Sequence, residues 1–284
     1  MRLILLTGFT MIAFAANSIL TRMAVEPGHI DPISFALIRV FAGALCLCTL
    51  VLVSGAELPW RGKSRFIGAI SLSAYMIGFS LAYISLDAGL GALILFGVVQ
   101  ITMFVYASFF GARPTTRQIT GAGIAFTGLV IALWPVPQDQ SNVDFSGAAS
   151  MVVAGLGWAA YTLSGKSSRN PLASTAANFA LCLPILGVLI LPFVDHVSVI
   201  GIALAVACGA LTSGLGYALW YNVLPDLQQS VAAVVQLSVP IIAIGAGALL
   251  LGEVLTLTVA LSAVLVVSGI GLAVTSRSAP IGRD

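Results

Sequence analysis

Charge is what this sequence has least of. Of its 284 residues, 12 are Lys or Arg and 10 are Asp or Glu, 8% against the roughly 25% of a soluble globular chain. Hydrophobic residues make up 59% and the mean hydropathy is +1.08. Such a chain is read as an integral membrane protein, with the lipid bilayer as its surroundings and no nucleic acid as partner. Histidine is nearly missing, with only His29 and His196, and Cys46, Cys48, Cys182 and Cys208 stand in apolar runs without metal-type spacing to either. The cysteines are therefore expected as small buried side chains, with no disulfide framework and no metal site. No His-Glu-x-x-His, embedded aspartyl pair or Walker-type Gly-Lys-Ser/Thr is present, so neither an enzyme, a cofactor nor nucleotide hydrolysis is read from it.

What is present is a series of long apolar runs. Cutting at every charged residue leaves nine of them, 3–21, 66–86, 88–112, 118–138, 145–165, 170–194, 197–225, 227–252 and 254–276, and a tenth, 32–56, interrupted only by Arg39. About 20 apolar residues rising 1.5 Å each cross a hydrocarbon core of about 30 Å. Ten membrane helices follow, joined by loops too short to be domains. The run from Ala88 to Ala112 holds Gln100 near its middle, and Leu227 to Gly252 repeats the design with Gln236 and, four residues on, Pro240.

The first run resembles a signal peptide, but it has a partner later in the chain. Phe14 to Arg22 aligns without gaps to Trp158 to Lys166, Pro32 matches Pro171, Tyr83 matches Tyr221, and Gly111, Thr115 and Gly128 match Gly252, Thr256 and Gly269. The fold class expected is all-α, ten transmembrane helices as two five-helix repeats, 1–138 and 145–276, with a tail at 277–284. With the N-terminus inside, ten of the twelve basic residues fall inside, Arg22 falls outside and Arg39 lies within a span, while Asp87 and Glu253 lie outside. The positive-inside rule then gives a plasma (inner) membrane protein with both termini cytoplasmic. Five helices per unit is odd, so the repeats are inverted, a plan of secondary transporters that rock about a site near the midplane.

The sequence resembles the drug/metabolite transporter superfamily, in its ten-helix EamA-type branch. The resemblance rests on the aromatic and small residues around Trp158, on Pro32 with Arg39 seven residues later, and on Pro240, Gly252-Glu253 and Gly269 in order. Where the family shows Gly-Glu-Arg-Pro in the first repeat, this chain has Gly111-Ala112-Arg113-Pro114. The family implies movement of small metabolites, often amino acids and often outward, without nucleotide hydrolysis. Alternatives are a proton-coupled multidrug or cation exporter and, behind it, a channel-like protein. Nothing in the sequence demands an oligomer.

Polar groups in hydrocarbon face partners, cavities or substrate. Candidate substrate-binding residues are the deep amides Asn17, Gln100 and Gln236 and the rings of Tyr75, Phe79, Tyr83, Trp158, Tyr161 and Tyr217, which recur three or four apart on helix faces. The amides serve equally as interhelical hydrogen bonds, and Tyr83 and Tyr221, near helix ends, equally as an interfacial belt. Arg39 either snorkels outward or pairs with backbone or Asp31, or attracts a substrate carboxylate. No Asp or Glu lies within a span, which argues for gradient-driven exchange or export over proton antiport. The glycine pairs permit close helix packing or serve as points of flexion. Pro184 and Pro240 are candidate kinks, and the span with Pro240 is expected to bend more than that of Ala88.

Overall fold

The computed structural model describes residues 1–110, 114–133, 145–165, 168–190, 195–227 and 235–275. They form ten helical segments: α1 (Arg2–Val25), α2 (Pro32–Val53), α3 (Lys63–Ala82), α4 (Ala88–Phe110), α5 (Thr116–Leu133), α6 (Phe145–Gly165), α7 (Pro171–Ile190), α8 (Val199–Asp226), α9 (Ser238–Leu251) and α10 (Leu257–Val274). Among the described residues only one isolated β-bridge, Ile30 to Val197, interrupts the helical character. Helix starts follow local chemistry. Asp31 Oδ1 accepts from the N–H groups of Ile33 and Ser34, with Pro32 already set for the first turn of α2. Ser198 and Thr256 cap α8 and α10 in the same way.

Seven of the helices are long and apolar enough to cross a membrane: α1, α2, α3, α4, α7, α8 and α10. The segment α9 is apolar but shorter, and α5 and α6 are diluted by Thr116, Arg117, Gln118 and Thr120 and by Ser146, Ser150, Gly155 and Gly157. Composition alone therefore marks fewer spans than the charge-free runs do. The core lies where α3 packs on α6, α5 on α10, α2 on α7, α4 on α6 and α1 on α8.

Close packing of these pairs depends on particular glycines. A Cβ at Gly121 would stand 2.5 Å from the carbonyl oxygen of Gly269, and one at Gly157 would stand 2.8 Å from that of Ser71. Their pair partners differ: Gly123 faces open space, whereas Gly155 packs against Val98.

Two wide π-helical turns stand in the second half, Cys208–Leu215 within α8 and Gly247–Leu251 at the end of α9. The sequence gives no sign of either. α7 continues through Pro184. Ahead of α9 the helix is broken at Leu237, three residues before Pro240, which stands in the first turn of the segment where its missing N–H has no intrahelical role. Its counterpart α4 runs unbroken.

Candidate functional site

The bundle closes around Arg39. It lies on α2, 0% exposed, and its Nη2 donates to Asn17 Oδ1 at 2.8 Å and to the Tyr75 hydroxyl at 3.3 Å. Its Nε donates to Ser213 Oγ at 3.2 Å. The guanidinium carbon stands 5.0 Å from the Phe79 ring centre and 5.6 Å from that of Tyr75, so two ring faces supply part of its counter-field. Among the described residues Nη1 has no hydrogen-bond partner. Snorkelling and a pair with Asp31 are both corrected by this geometry, since the guanidinium is buried and its hydrogen bonds go to Asn17, Tyr75 and Ser213. α8 packs directly on this turn of α2, where a Cβ at Gly209 would collide with the Arg39 carbonyl.

Asn17 of α1 is the common acceptor. Its Oδ1 receives Arg39, Thr212 Oγ1 at 2.7 Å, Ser213 Oγ at 3.2 Å and the weak S–H donor of Cys208 at 3.4 Å. Consecutive residues diverge on an α-helix, but a π-helical turn holds more residues, so 208, 212 and 213 reach one acceptor together. Cys208 is therefore more than a buried space-filler.

A chain of rings adjoins this cluster. Tyr75 lies 4.9 Å from Trp158, which stacks on Tyr217 at 5.5 Å and 17°. Phe14 and Phe179 pack against Tyr217 at 5.6 and 6.0 Å. At one end Phe79 meets Tyr83 edge-on at 4.9 Å. At the other, Tyr161 shares a hydrogen bond with Thr175 (2.8 Å), which also bonds the Tyr221 hydroxyl (3.0 Å). Tyr83 is 0% exposed, so an interfacial place for it is corrected.

Asn17, Arg39, Tyr75, Phe79, Trp158 and Tyr217 thus meet, with Tyr83 and Tyr161 at the two ends of the row. The glutamines do not join them. Gln100 faces a separate cavity of about 310 Å³ between α4, α5 and α10, with Met103, Phe104, Gln118 and Ile270 among its walls. Gln236 is half-buried in the turn that precedes α9. Thr212, Ser213, Phe14, Phe179 and Thr175 belong to the cluster without having been singled out by sequence. The only hint of the first two is a Thr-Ser pair inside the run 197–225. Among the described residues all four cysteines are free and no group of His, Cys, Asp and Glu is arranged to hold a metal.

Acidic side chains collect at one end. Glu253 Oε1 accepts from the Ala88 N–H at 2.7 Å, and Arg22 lies 3.7 Å from Asp87, 3.8 Å from Glu26 and 4.0 Å from Glu253. Burial pushes the Asp87 and Glu253 carboxyls above their ordinary range; Arg22 opposes this at Asp87, and the Ala88 N–H does so at Glu253.

An all-helical bundle of apolar helices around an enclosed cation, amides and rings defines a multi-pass membrane protein with a polar interior site. The model of the EamA-like transporter family matches residues 145–275. An uncharacterised protein of Pseudomonas aeruginosa is 41% identical over 100% of this chain and 98% of its own. The threonine/homoserine exporter RhtA of Escherichia coli K12 is 30% identical over 76% of this chain and 75% of its own. A solved crystal structure shares the fold with a TM-score of 0.66 at 17% identity, over 94% of this chain and 98% of that one. The chain belongs to the EamA-like transporter family of the drug/metabolite transporter superfamily.

Proposed function

We propose that this protein is a secondary carrier of the inner membrane that moves small amphipathic carboxylates of the amino-acid type by alternating access. Export down the solute gradient, or exchange, is the expected mode. The observation that carries the reading is Arg39: a fully buried cation that has, among the described residues, no acidic partner and one nitrogen unbonded. A buried charge of this kind is costly unless something pairs with it, and a substrate carboxylate is the natural complement, with the row of rings taking the apolar body. The exporter named among the relatives carries amino acids, which supports the class.

The helix pairing supports two inverted repeats, 1–138 and 145–276. Exchanging each helix for the one five places on turns the α3–α6 contact into α8–α1 and the α4–α6 contact into α9–α1, and all four are made. In this reading both termini are cytoplasmic and the acidic end faces outward. A proton-coupled cation exporter is disfavoured, because Arg39 repels a cation and no Asp or Glu lies within the charge-free runs to relay a proton.

Counterflow in proteoliposomes tests the proposal. Saturable exchange of amino acids or related carboxylates, undiminished when the pH gradient is collapsed, is expected. Uptake that requires an imposed pH gradient, transport of organic cations in preference to carboxylates, or non-saturable flux would overturn it.

A further inference from the structure

The acidic end contains a tie between the two halves of the chain that the binding site does not use. Glu253, from the second half, accepts from the N–H groups of Ala88 (2.7 Å) and Gly89 (3.5 Å), the start of α4 in the first half. The first N–H groups of a helix have no partner within it, so α4 depends on the other half for its cap. The side chain is aimed by backbone. Gly252 takes the left-handed conformation (φ 68°) that ends α9, the Glu253 N–H returns to the Gly247 carbonyl at 3.2 Å, and a Cβ at Gly247 would collide with the Glu253 carboxylate.

Arg22 completes the tie from α1. Its Nη1 donates to the carbonyls of Tyr83 and Ile84 at 3.1 Å each, which fixes it over the carboxylates of Glu26, Asp87 and Glu253. The sequence counterpart of Glu253 in the first half is Ala112, which has no carboxylate.

We infer that Glu253, held by Gly247 and Arg22, is a one-sided latch that keeps the acidic end of the carrier closed and must release α4 for that end to open. The inference rests on the alternating-access reading above. Glu253, Gly247 and Arg22 are positioning residues in it, since none touches the site around Arg39.

Cys208, buried beside Asn17, is the built-in reporter. In the full chain with Cys46, Cys48 and Cys182 replaced by Ala, a membrane-impermeant maleimide applied at the acidic end should label Cys208 slowly. Glu253→Ala should accelerate labelling about fivefold, the shift expected when a helix loses its cap. Gly247→Ala, which keeps the charge but displaces it, should act in the same direction, and Glu253→Gln, which keeps an acceptor for the Ala88 N–H, should restore the slow rate. Labelling from the opposite end should not rise. Wild-type rates in both Ala variants, a glutamine variant as fast as the alanine one, or equal acceleration from both ends would overturn the latch. Labelling requires no substrate, so failure of the carrier reading in counterflow is scored separately from failure of the latch.

Discussion

Replacing Arg39 by Met separates a substrate-binding arginine from a structural one. The substitution keeps an unbranched, polarisable side chain of useful volume and removes three hydrogen bonds, to Asn17, Tyr75 and Ser213. Hydrogen bonds to charged groups contribute about 1.5–3 kcal/mol each. Against them stand the desolvation of an ion, several kcal/mol after relaxation, and the unbonded Nη1, for which about 1–3 kcal/mol is typical. The opposing effects are of one order, and Asn17 Oδ1 keeps Thr212 and Ser213 as donors after the change. The melting temperature in detergent should therefore move by no more than about 5 °C. Substrate affinity should not survive: losing one partner of a buried, hydrogen-bonded charge pair costs at least about 2 kcal/mol, or roughly a 30-fold rise in half-saturation in counterflow. Unchanged half-saturation would refute the role given to Arg39. A collapse in melting temperature of well over 10 °C, beyond what the terms above allow, would show the guanidinium to be a structural tie instead.

Three further outcomes follow from the geometry. Gly269→Leu should destabilise the protein by about 1–3 kcal/mol or abolish its accumulation, because a Cβ there would lie 2.5 Å from the Ala125 nitrogen and 2.6 Å from the Gly121 carbonyl, neither of which yields; thermal unfolding reads this directly. Gln100→Leu should leave half-saturation within about twofold, the scale of a change that removes no direct contact, since Gln100 faces the 310 Å³ cavity and not Arg39. Burial raises the Asp87 and Glu253 carboxyls above their ordinary range, so their protonated forms favour the folded protein. That contribution is complete at low pH and is lost as pH rises through the raised values. The melting temperature of the wild type should accordingly decline relative to Glu253→Gln over this interval, and parallel curves would contradict the assignment.

Much of this architecture was legible in one dimension because the bilayer leaves few choices. A charge-free run of suitable length has to be a helix when no water is at hand for its backbone, and rings four residues apart on α3 have to share a face. Asn17 and Arg39 stood out because polar groups are rare in such runs. Legibility failed where the partner lies far along the chain. Gln100 and Gln236 are as polar as Asn17, yet nothing in their own helices tells which neighbour they face. Thr212 and Ser213 act together only because α8 widens into a π-helical turn, a change of ladder that residue periodicity does not announce. Tyr83 looked interfacial by its position near a helix end and is buried because the α3–α4 loop folds inward beneath Arg22. Glu253 could be placed outside the spans, but its cap on α4 reaches across 165 residues.

The isolation of Arg39 has an electrical consequence. On the carrier proposed above, with no Asp or Glu in the charge-free runs, the empty state would hold a net positive charge within the membrane field, and a monoanionic substrate would cancel it. A unit charge crossing the whole field gains or loses about 2.3 kcal/mol per 100 mV, and rocking of the proposed carrier would move Arg39 through a fraction of that drop. In a cell whose interior is negative, voltage would then favour the empty carrier turning toward the cytoplasm and would have little hold on the carrier loaded with an anion. Resetting, not delivery, would then be the voltage-driven half of the cycle.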